Sequence, residues 1–362
     1  MTLVTVATTS TTSTESTSIS CPTCGGSECI EPAGNILDNL YTLYMACNSC
    51  PPDPKLKKDA PFRIIEEEGY DNTPCNNCGA RHLDIVMVEA LAVMIEYGCR
   101  SKEARLFDVG TPLIAIGCPL AFAPRLKNND LILIADNIDP LVAEKLIDIP
   151  EIKGVIKRVG TPTQSVGILD TDSEPHTYEL LAGCDVRCDV VASSFGELCI
   201  YKSQSKIHIE FGRESPAKMQ VLERLYMQGH LTRKTVVDGF CGPGTLGLMC
   251  VLAGAEHVIL NDAWRTAIEN TLINIEVNKE ILEVELEKFV DISTLPDIGD
   301  EPIQVAQAKG NGIVIDVFHG DFRKLLNLEE VDAFDICLID TYPSVDATGF
   351  TKYDTTGRMV II

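Results

Sequence analysis

Residues 236–248 read VVDGFCGPGTLGL and join a buried strand, a glycine-rich turn and the start of a helix. Gly242, Gly244 and Gly247 carry no side chain where the backbone must turn tightly and approach a ligand. The helix that follows presents its positive N-terminus to the same place. The stretch therefore predicts a strand-turn-helix unit that cradles a ligand, with a tight turn that binds nothing as the alternative.

The chain around this turn alternates between strand and helix patterns. From residue 235 the strands read VVDGF, HVILND, GIVIDVF and FDICLID, and the helices read LGLMCVLAG, AWRTAIENTLINIEVN and DFRKLLNL. An insertion precedes the third strand, and the last residues, GRMVII, suffice for a fifth. This order predicts an α/β, Rossmann-like domain with a parallel sheet and helices on its faces.

Acidic residues follow the ends of four successive strands. Asp262 lies 24 residues after Asp238 and is placed to accept both hydrogen bonds of a ribose diol. Asp321 is placed to accept from an adenine amino group, with Phe322 beside it as an apolar ring contact. Asp340 ends the fourth strand. Ligands of open parallel sheets bind outside the carboxyl ends of the strands, so we expect these acids to surround one crevice.

The segments VVDGFCGPGTLGL, ILND, HGDFRKLL and CLIDTYPS resemble motifs one to four of class I S-adenosylmethionine-dependent methyltransferases. The motif DGFCGPGT, followed by ND and a helix ending IEVN, is most similar to archaeal tRNA guanine methyltransferases. The resemblance covers roughly residues 210–345. By position it implies contacts to the methionine, ribose and adenine parts of the cofactor. The implied cofactor-binding residues are Asp238, Gly239, Phe240, Gly242, Gly244, Asp262, Asp321 and Phe322.

The fourth motif implies the catalytic residues. The resemblance places Asp340, Tyr342 and Pro343 beside the transferring methyl group, and Tyr342 is able to stack on a flat substrate. Amino-methylating members usually carry Asn/Asp-Pro-Pro-aromatic or Asp-Pro-Phe-Gly at this point, whereas this chain has Asp-Thr-Tyr-Pro. The methyl acceptor therefore stays open among RNA, a protein and a small molecule.

Two other functions compete with methyl transfer. Residues 242–247 fit G-x-G-x-x-G letter by letter, which is also the fingerprint of nicotinamide dinucleotide enzymes. Asp238 before the turn and the later acids favour S-adenosylmethionine. The third hypothesis is a zinc-stabilised, non-catalytic binding or scaffold protein with a methyltransferase-like fold.

Cysteine pairs near the N-terminus indicate zinc. Three C-x-x-C pairs lie in a segment too polar to form a core of its own, and two such pairs make a tetrahedral zinc site. The predicted metal ligands are Cys21, Cys24, Cys47, Cys50, Cys75 and Cys78. Cys29 and His82 would raise the ligand count to eight and allow two zinc ions. An iron–sulfur cluster is disfavoured because the pairs are far apart.

Two further cysteines, Cys184 and Cys188, are four residues apart. This spacing would place them on one face of a helix, and we interpret both as structural.

Composition narrows the function classes. The 362 residues include 53 Asp and Glu against 30 Lys and Arg, for a formal net charge of −23, which repels phosphate backbones and disfavours tRNA as a partner. Fifteen cysteines, six of them in C-x-x-C pairs, suit metal ligation in a reducing compartment. No cationic start precedes an apolar stretch, and the longest apolar run is too short for a bilayer. We expect a cytoplasmic protein.

Changes in pattern divide the chain into five parts. They are a disordered Ser/Thr-rich tail (1–20), a zinc-ribbon-like module (21–82), a small α/β domain (83–160), a β-rich segment (161–212) and the methyltransferase-like domain (213–362). The tail lacks apolar residues that could offset the entropy of ordering. In the β-rich segment, DVVASSF, ELCIYKS and KIHIEF alternate with turn residues and predict antiparallel strands.

Overall fold

A computed structural model describes residues 19–161, 163–208, 215–331, 333–350 and 359–362. The predicted disordered tail therefore lies, up to residue 18, outside the described residues. Within these ranges we find no helix that is both long enough and apolar enough to cross a membrane.

The first half of the chain holds short helices and strands that follow a cysteine-rich segment. The helices are α1 (Ala33–Leu37), α2 (Phe62–Glu68), α3 (Leu83–Glu96) and α4 (Pro140–Leu146). The strands are β1 (Arg81–His82), β2 (Thr111–Ile114), β3 (Ile116–Gly117), β4 (Arg125–Leu126), β5 (Leu131–Ala135), β6 (Ile152–Lys157), β7 (Glu179–Gly183), β8 (Val186–Ser193) and β9 (Gly196–Ser203). Short 3-10 turns at Leu40–Thr42 and Leu106–Asp108 connect them.

The second half alternates strands and helices. The helices are α5 (Ser215–Met227), α6 (Thr245–Leu252), α7 (Arg265–Val277), α8 (Lys279–Leu282) and α9 (Phe322–Leu325). The strands are β10 (Thr235–Asp238), β11 (His257–Asp262), β12 (Glu285–Lys288), β13 (Ile303–Gly310), β14 (Ile313–His319), β15 (Ile336–Ile339) and β16 (Met359–Ile361). Further 3-10 turns lie at Ile292–Thr294, Glu329–Val331 and Ala347–Gly349.

The described residues of this half form one seven-stranded sheet in the order β12-β13-β14-β11-β10-β15-β16. The strands from β14 to β16 run parallel, and their spatial order is third, second, first, fourth and fifth. This is the start of the doubly wound order 3-2-1-4-5, which places the switch point, and hence the expected ligand crevice, between β10 and β11 on one side and β15 on the other. The predicted Rossmann-like α/β fold is confirmed.

The insertion before the third strand supplies two additional strands. β12 and β13 form an antiparallel hairpin that extends the sheet beyond β14. The predicted fifth strand is β16, which pairs in parallel with β15.

The sheet is buried on both faces because its side chains alternate. Val236 and Val258 face a core that includes α6 and α7, whereas the next residues, Val237 and Ile259, face a second core that includes α9. The parallel strands consequently read as continuous apolar runs, which is the expected pattern for strands covered on both sides. This burial fixes the ends of the strands, and therefore the acids that follow them.

The middle region contains two smaller sheets. One has the order β2-β5-β6-β7, and in the other β3 pairs with the antiparallel hairpin of β8 and β9. The hairpin matches the predicted antiparallel strands, but residues 206–208 of KIHIEF form no strand, and its last three residues lie outside the described ranges. The helix expected around Cys184 and Cys188 is wrong: Cys184 lies in the β7–β8 turn and Cys188 within β8.

Three asparagines, two on α7 and one at its C-terminal cap, bind this helix to the edge of β9. Asn270, Asn274 and Asn278 are spaced four residues apart and are buried. Each accepts one backbone N–H hydrogen bond, at 2.7 to 3.1 Å, and the three donors are alternate residues of β9. Asn274 and Asn278 also donate to carbonyls of the same strand at 2.9 and 2.7 Å. The amides satisfy strand groups that would otherwise be buried without partners.

Candidate functional site

A cavity of about 590 Å3 opens at the carboxyl ends of β10, β11 and β15. The glycine-rich turn and the start of α9 form much of its wall, and residues 168–171 of the middle region cover one side. Nearly all candidate cofactor and catalytic residues named from the sequence contribute to this wall. The contributing members are Gly239, Phe240, Gly242, Asp262, Asp321, Phe322, Asp340, Tyr342 and Pro343.

The glycine-rich turn is closed by backbone hydrogen bonds. Gly244 N–H donates to Cys241 O at 2.8 Å, and Gly244 is the residue that precedes the first turn of α6. Gly242 and Gly244 have φ of 54° and 83°, in the left-handed region that side chains disfavour. Thr271 Oγ1 and Asn274 Nδ2 of α7 donate to the carbonyls of residues 242 and 243 at 2.8 Å. Gly244 supports the turn but does not itself line the cavity.

Asp238 lies directly behind the cavity wall. Its Oδ2 accepts from Gly247 N–H, in the first turn of α6, at 2.9 Å, and its buried Oδ1 has no hydrogen-bond partner among the described residues. Burial, with the nearby charges of Asp340 and Asp262, raises the pKa of Asp238 to about 7. The residue therefore holds the glycine turn against the helix, and its burial makes its negative charge costly.

Asp262 also accepts a hydrogen bond from the glycine-rich turn. Its Oδ2 accepts from Gly242 N–H at 2.9 Å and its Oδ1 from Trp264 N–H at 2.8 Å. Burial raises the pKa of Asp262 above its ordinary value, and the two backbone donors oppose that rise. Each carboxylate oxygen has two lone pairs, so acceptor capacity is left for a ligand hydroxyl.

Asp321 precedes α9 and forms an ion pair with Arg323. Arg323 donates from Nε to both of its oxygens, at 2.9 and 3.0 Å, and its backbone N–H donates to Oδ1 at 2.8 Å. Burial alone would raise the pKa of Asp321, but the Arg323 bonds outweigh it and hold that pKa below its usual value. Arg323 also donates to Asp170 and Thr171, at 3.0 and 2.8 Å, and so connects the covering segment to the cavity floor.

Three aromatic rings form an apolar side of the site. Phe240 lies 5.0 Å from Phe322 and 4.8 Å from Phe350, between ring centroids. A Cβ at Gly239 would lie 2.5 Å from the Phe322 ring, so only glycine allows this close packing. The rings offer a flat, apolar contact of the kind that a purine base uses.

At the opposite end, the fourth motif contacts α5 and two residues of the middle region outside the 168–171 segment, Val166 and His208. Lys218 of α5 donates to Asp340 Oδ2 at 2.8 Å. Tyr342 Oη donates to Val166 O at 2.7 Å, and its ring meets His208 edge-on at 5.6 Å. Burial raises the pKa of Tyr342, so the phenol stays protonated and keeps this bond. The cavity is therefore enclosed from both the sheet and the middle region.

Some site residues were missed from the sequence. Asn261 is fully buried, lines the cavity, and donates to Gly239 O and Gly320 O at 3.2 and 3.1 Å. Its Oδ1 is a buried acceptor without a partner among the described residues. The ND at the end of β11 was the available signal, since the Asn precedes the predicted ribose acid. The covering segment and Arg323 carried no comparable signal.

These features fit a nucleoside-type cofactor. The cavity volume falls within the roughly 300 to 1,000 Å3 typical of small-molecule sites, and aromatic rings face it together with polar acceptors. The buried, unpartnered oxygen of Asn261 at the cavity wall is the expected mark of a place where a ligand supplies a hydrogen bond.

Eight of the fifteen cysteines form two groups, in each of which four Sγ atoms lie within 4.8 Å of one another. Cys47, Cys50, Cys75 and Cys78 make one group, with neighbouring Sγ atoms 3.5 to 3.6 Å apart. A tetrahedral zinc with bonds of about 2.3 Å would require Sγ separations of about 3.8 Å, so the group fits zinc.

The other group contains Cys21, Cys24, Cys29 and Cys184. Cys184, interpreted from the sequence as structural, thus completes a group of four thiols, and the odd number of cysteines among Cys21, Cys24 and Cys29 was the only signal for it. His82 is in neither group. It is buried and accepts a hydrogen bond from Asp84 N–H at the start of α3.

No protein-family profile matches the chain, and no curated protein matches it. Solved structures that match in part include Trm5b from Pyrococcus abyssi (15% identity, 59% of this chain, 50% of that chain, TM-score 0.33). Trm1 from Pyrococcus horikoshii in complex with S-adenosyl-L-methionine matches at 21% identity over 45% of this chain and 38% of that chain, with a TM-score of 0.34. TYW2 from the same organism in complex with MeSAdo matches at 19% identity over 62% of each chain, again with a TM-score of 0.34.

The chain spans about half of the length of the first of these structures, less than two fifths of the second and under two thirds of the third.

Proposed function

We propose that the protein is a methyltransferase that uses S-adenosylmethionine. The observation that carries the proposal is the arrangement of Asp262, Asn261, Asp340 and the glycine turn around one cavity at the carboxyl ends of β10, β11 and β15. The cavity lies at the switch point of the 3-2-1-4-5 sheet, where doubly wound folds bind their ligands.

The charge around the turn favours a cationic cofactor over a dinucleotide. A diphosphate would need the N-terminal amides of α6, but Asp238 already accepts from Gly247 N–H in that first turn. Asp238, Asp262 and Asp340 bring negative charge to this end of the cavity, whereas Lys218 is bound to Asp340. A sulfonium with an ammonium group is attracted by this field, and a diphosphate is repelled.

When bound, S-adenosylmethionine supplies a methyl group that its sulfonium already activates. The residues of the chain then have the tasks of binding and alignment. Asp262 accepts from the ribose hydroxyls, and the rings of Phe240 and Phe322 contact the adenine. Asp340 and Tyr342 orient the acceptor, and the 168–171 segment excludes water. Alignment of this kind accounts for large rate enhancements without an acid–base triad.

The first experiment is a calorimetric titration with S-adenosylhomocysteine, with NAD as the control ligand. We expect micromolar binding of the first and none of the second. The Gly239→Ala variant should lose binding because its methyl group displaces Phe322, and Gly349→Ala, where a Cβ meets nothing within 4 Å, should keep it. Binding of NAD alone would replace the proposal with the dinucleotide hypothesis.

Turnover distinguishes an enzyme from a scaffold and also identifies the acceptor. The protein is incubated with S-adenosylmethionine labelled in the methyl group and with separated RNA, protein and small-molecule fractions of a cell extract. Label should enter one fraction, and Asp340→Asn should reduce the incorporation while keeping S-adenosylhomocysteine binding. Cofactor binding without label in any fraction would favour the scaffold hypothesis.

We also propose that Cys47, Cys50, Cys75 and Cys78 bind a structural zinc ion. This part of the chain packs through Arg125, which donates to Pro51 O at 2.8 Å and to Asp53 at 2.7 Å. A closed four-thiolate site leaves no open position for catalysis, so the ion would stabilise the fold only.

A further inference from the structure

The Cys21 turn has the same backbone as the turn in the other cysteine group. Cys21 N–H donates to the carbonyl five residues later at 2.9 Å, and Gly25 N–H donates back to Cys21 O at 2.9 Å. Cys75 and Gly79 make the corresponding bonds at 3.1 and 2.8 Å. Gly25 and Gly79 have φ of 71° and 74°. The chain therefore uses one metal-knuckle conformation twice.

The thiols around the first turn come from distant parts of the chain. Cys21 Sγ lies 3.5 Å from Cys184 Sγ, and Cys29 Sγ lies 3.7 Å from Cys184 Sγ and belongs to the same group. Cys24 Sγ lies 3.3 Å from Cys29 Sγ. These separations are near the edge of about 3.8 Å expected for tetrahedral zinc, and far beyond the roughly 2.05 Å of a disulfide bond.

Polar contacts next to the thiols hold the same two segments together. Thr23 Oγ1, between the first two cysteines, donates to Asp185 Oδ1 at 2.7 Å. The buried Oδ2 of Asp185 accepts from Ser203 Oγ at 2.8 Å and Ser205 N–H at 2.9 Å. Lys153 donates to Val186 O at 2.8 Å, which places a cation beside the thiol group.

The positive charge of Lys153 would offset the negative charge of a zinc–thiolate site. Four thiolates around Zn2+ carry a net charge of −2, and Lys153 lies within electrostatic range of Cys29 and Cys184. Outer contacts that orient ligands and balance charge are characteristic of metal sites.

We propose that Cys21, Cys24, Cys29 and Cys184 bind a zinc ion of their own and that this ion joins the N-terminal knuckle to the β7–β8 turn. Four thiolates in a closed tetrahedron select zinc among the common divalent metals. The site is separate from the one at Cys47, Cys50, Cys75 and Cys78, and it is independent of any methyl transfer.

Metal content of the purified full-length protein is the test. We expect two zinc equivalents per chain. The double variant Cys29→Ser, Cys184→Ser should contain one equivalent, and the matched control Cys99→Ser, Cys118→Ser, whose thiols belong to neither group, should contain two. One equivalent in the wild-type protein, or two in the ligand variant, would overturn the proposal.

A milder variant covers the case in which the double variant does not fold. Cys24 is exposed, so Cys24→Ser should weaken one site without a cavity in the core. We expect one of its two zinc equivalents to transfer to a chromophoric chelator faster than either wild-type equivalent. Equal release rates would contradict the proposal, as would a mass that is 2 Da lower per cysteine pair, which indicates disulfides.

Discussion

Asp238 combines a buried charge with a role in the turn, and its protonation should affect stability. Its pKa of about 7 in the folded protein compares with about 3.9 in an unfolded chain. The folded state therefore binds more protons between these values, so the free energy of unfolding falls as pH rises from about 4 to 7. This decrease is the energetic consequence of burying a carboxylate, with the charges of Asp340 and Asp262 nearby.

The variant Asp238→Asn removes the titrating carboxyl group. The loss of unfolding free energy between pH 5 and pH 8 should shrink by roughly 1 to 3 kcal/mol in this variant, because its amide does not titrate. Urea unfolding at both pH values measures the difference. Asp346→Asn changes an exposed carboxylate whose hydrogen bonds to Thr348 lower its pKa, and it should leave the pH 5 to 8 difference unchanged. An unaltered slope in Asp238→Asn would contradict the raised pKa.

Gly239 tests the close packing beside the cavity. In Gly239→Ala the added methyl group would meet the Phe322 ring, which is buried and held by Phe240 and Phe350. We expect a loss of about 1 to 3 kcal/mol in unfolding free energy, as is typical of overpacking. Gly349→Ala should change it by less than about 0.5 kcal/mol. Equal stabilities of the two variants would show that the ring moves aside without cost.

At the scale of elements, the asparagine ladder of α7 connects two parts of the molecule. Asn274 bonds to the N–H and the C=O of Tyr201 in β9 and donates to Pro243 O in the glycine turn. One side chain thus satisfies three backbone groups. Four helical residues rise about 6.0 Å along the helix axis, and two strand residues rise about 6.7 Å along the strand. Because these two distances nearly match, the ladder can form.

Asn274→Ala should therefore destabilise the protein by about 2 to 4 kcal/mol, because buried backbone groups lose their partners. Glu276→Ala on the same helix removes only a surface ion pair with Lys279 and should cost less than about 0.5 kcal/mol. Chemical unfolding of both variants provides the comparison. If the two variants unfold at the same denaturant concentration, the ladder adds nothing measurable.

The elements also show what a sequence pattern can and cannot reveal. The strands and helices from residue 235 were predictable because apolar runs, the glycine turn and strand-end acids are local signals. The grouping of Cys184 with Cys29 was not predictable, because a thiol on a turn 155 residues later leaves no spacing motif. The contact of Tyr342 with Val166 was hidden for the same reason, since the two residues belong to different regions of the chain.

At the scale of the whole molecule, the net charge of −23 bears on the acceptor. Two cations near the cavity form ion pairs with acidic residues: Lys218 with Asp340 and Arg323 with Asp321. We expect no retention of a tRNA pool at about 150 mM salt in filter binding, because the summed field opposes phosphates. A matched experiment at about 20 mM salt provides the reference. Retention that persists at the higher salt would point to RNA as the acceptor.

The contact between residues 21–29 and the β7–β8 turn also has a consequence for synthesis. Cys21 and Cys184 are separated by 163 residues, and Thr23 and Asp185 by 162. Chains are made from the N-terminus, so the first cysteines leave the ribosome long before their partners exist. Residues 21–29 therefore stay without these partners until Cys184 and Asp185 have been translated, so this contact forms late in synthesis.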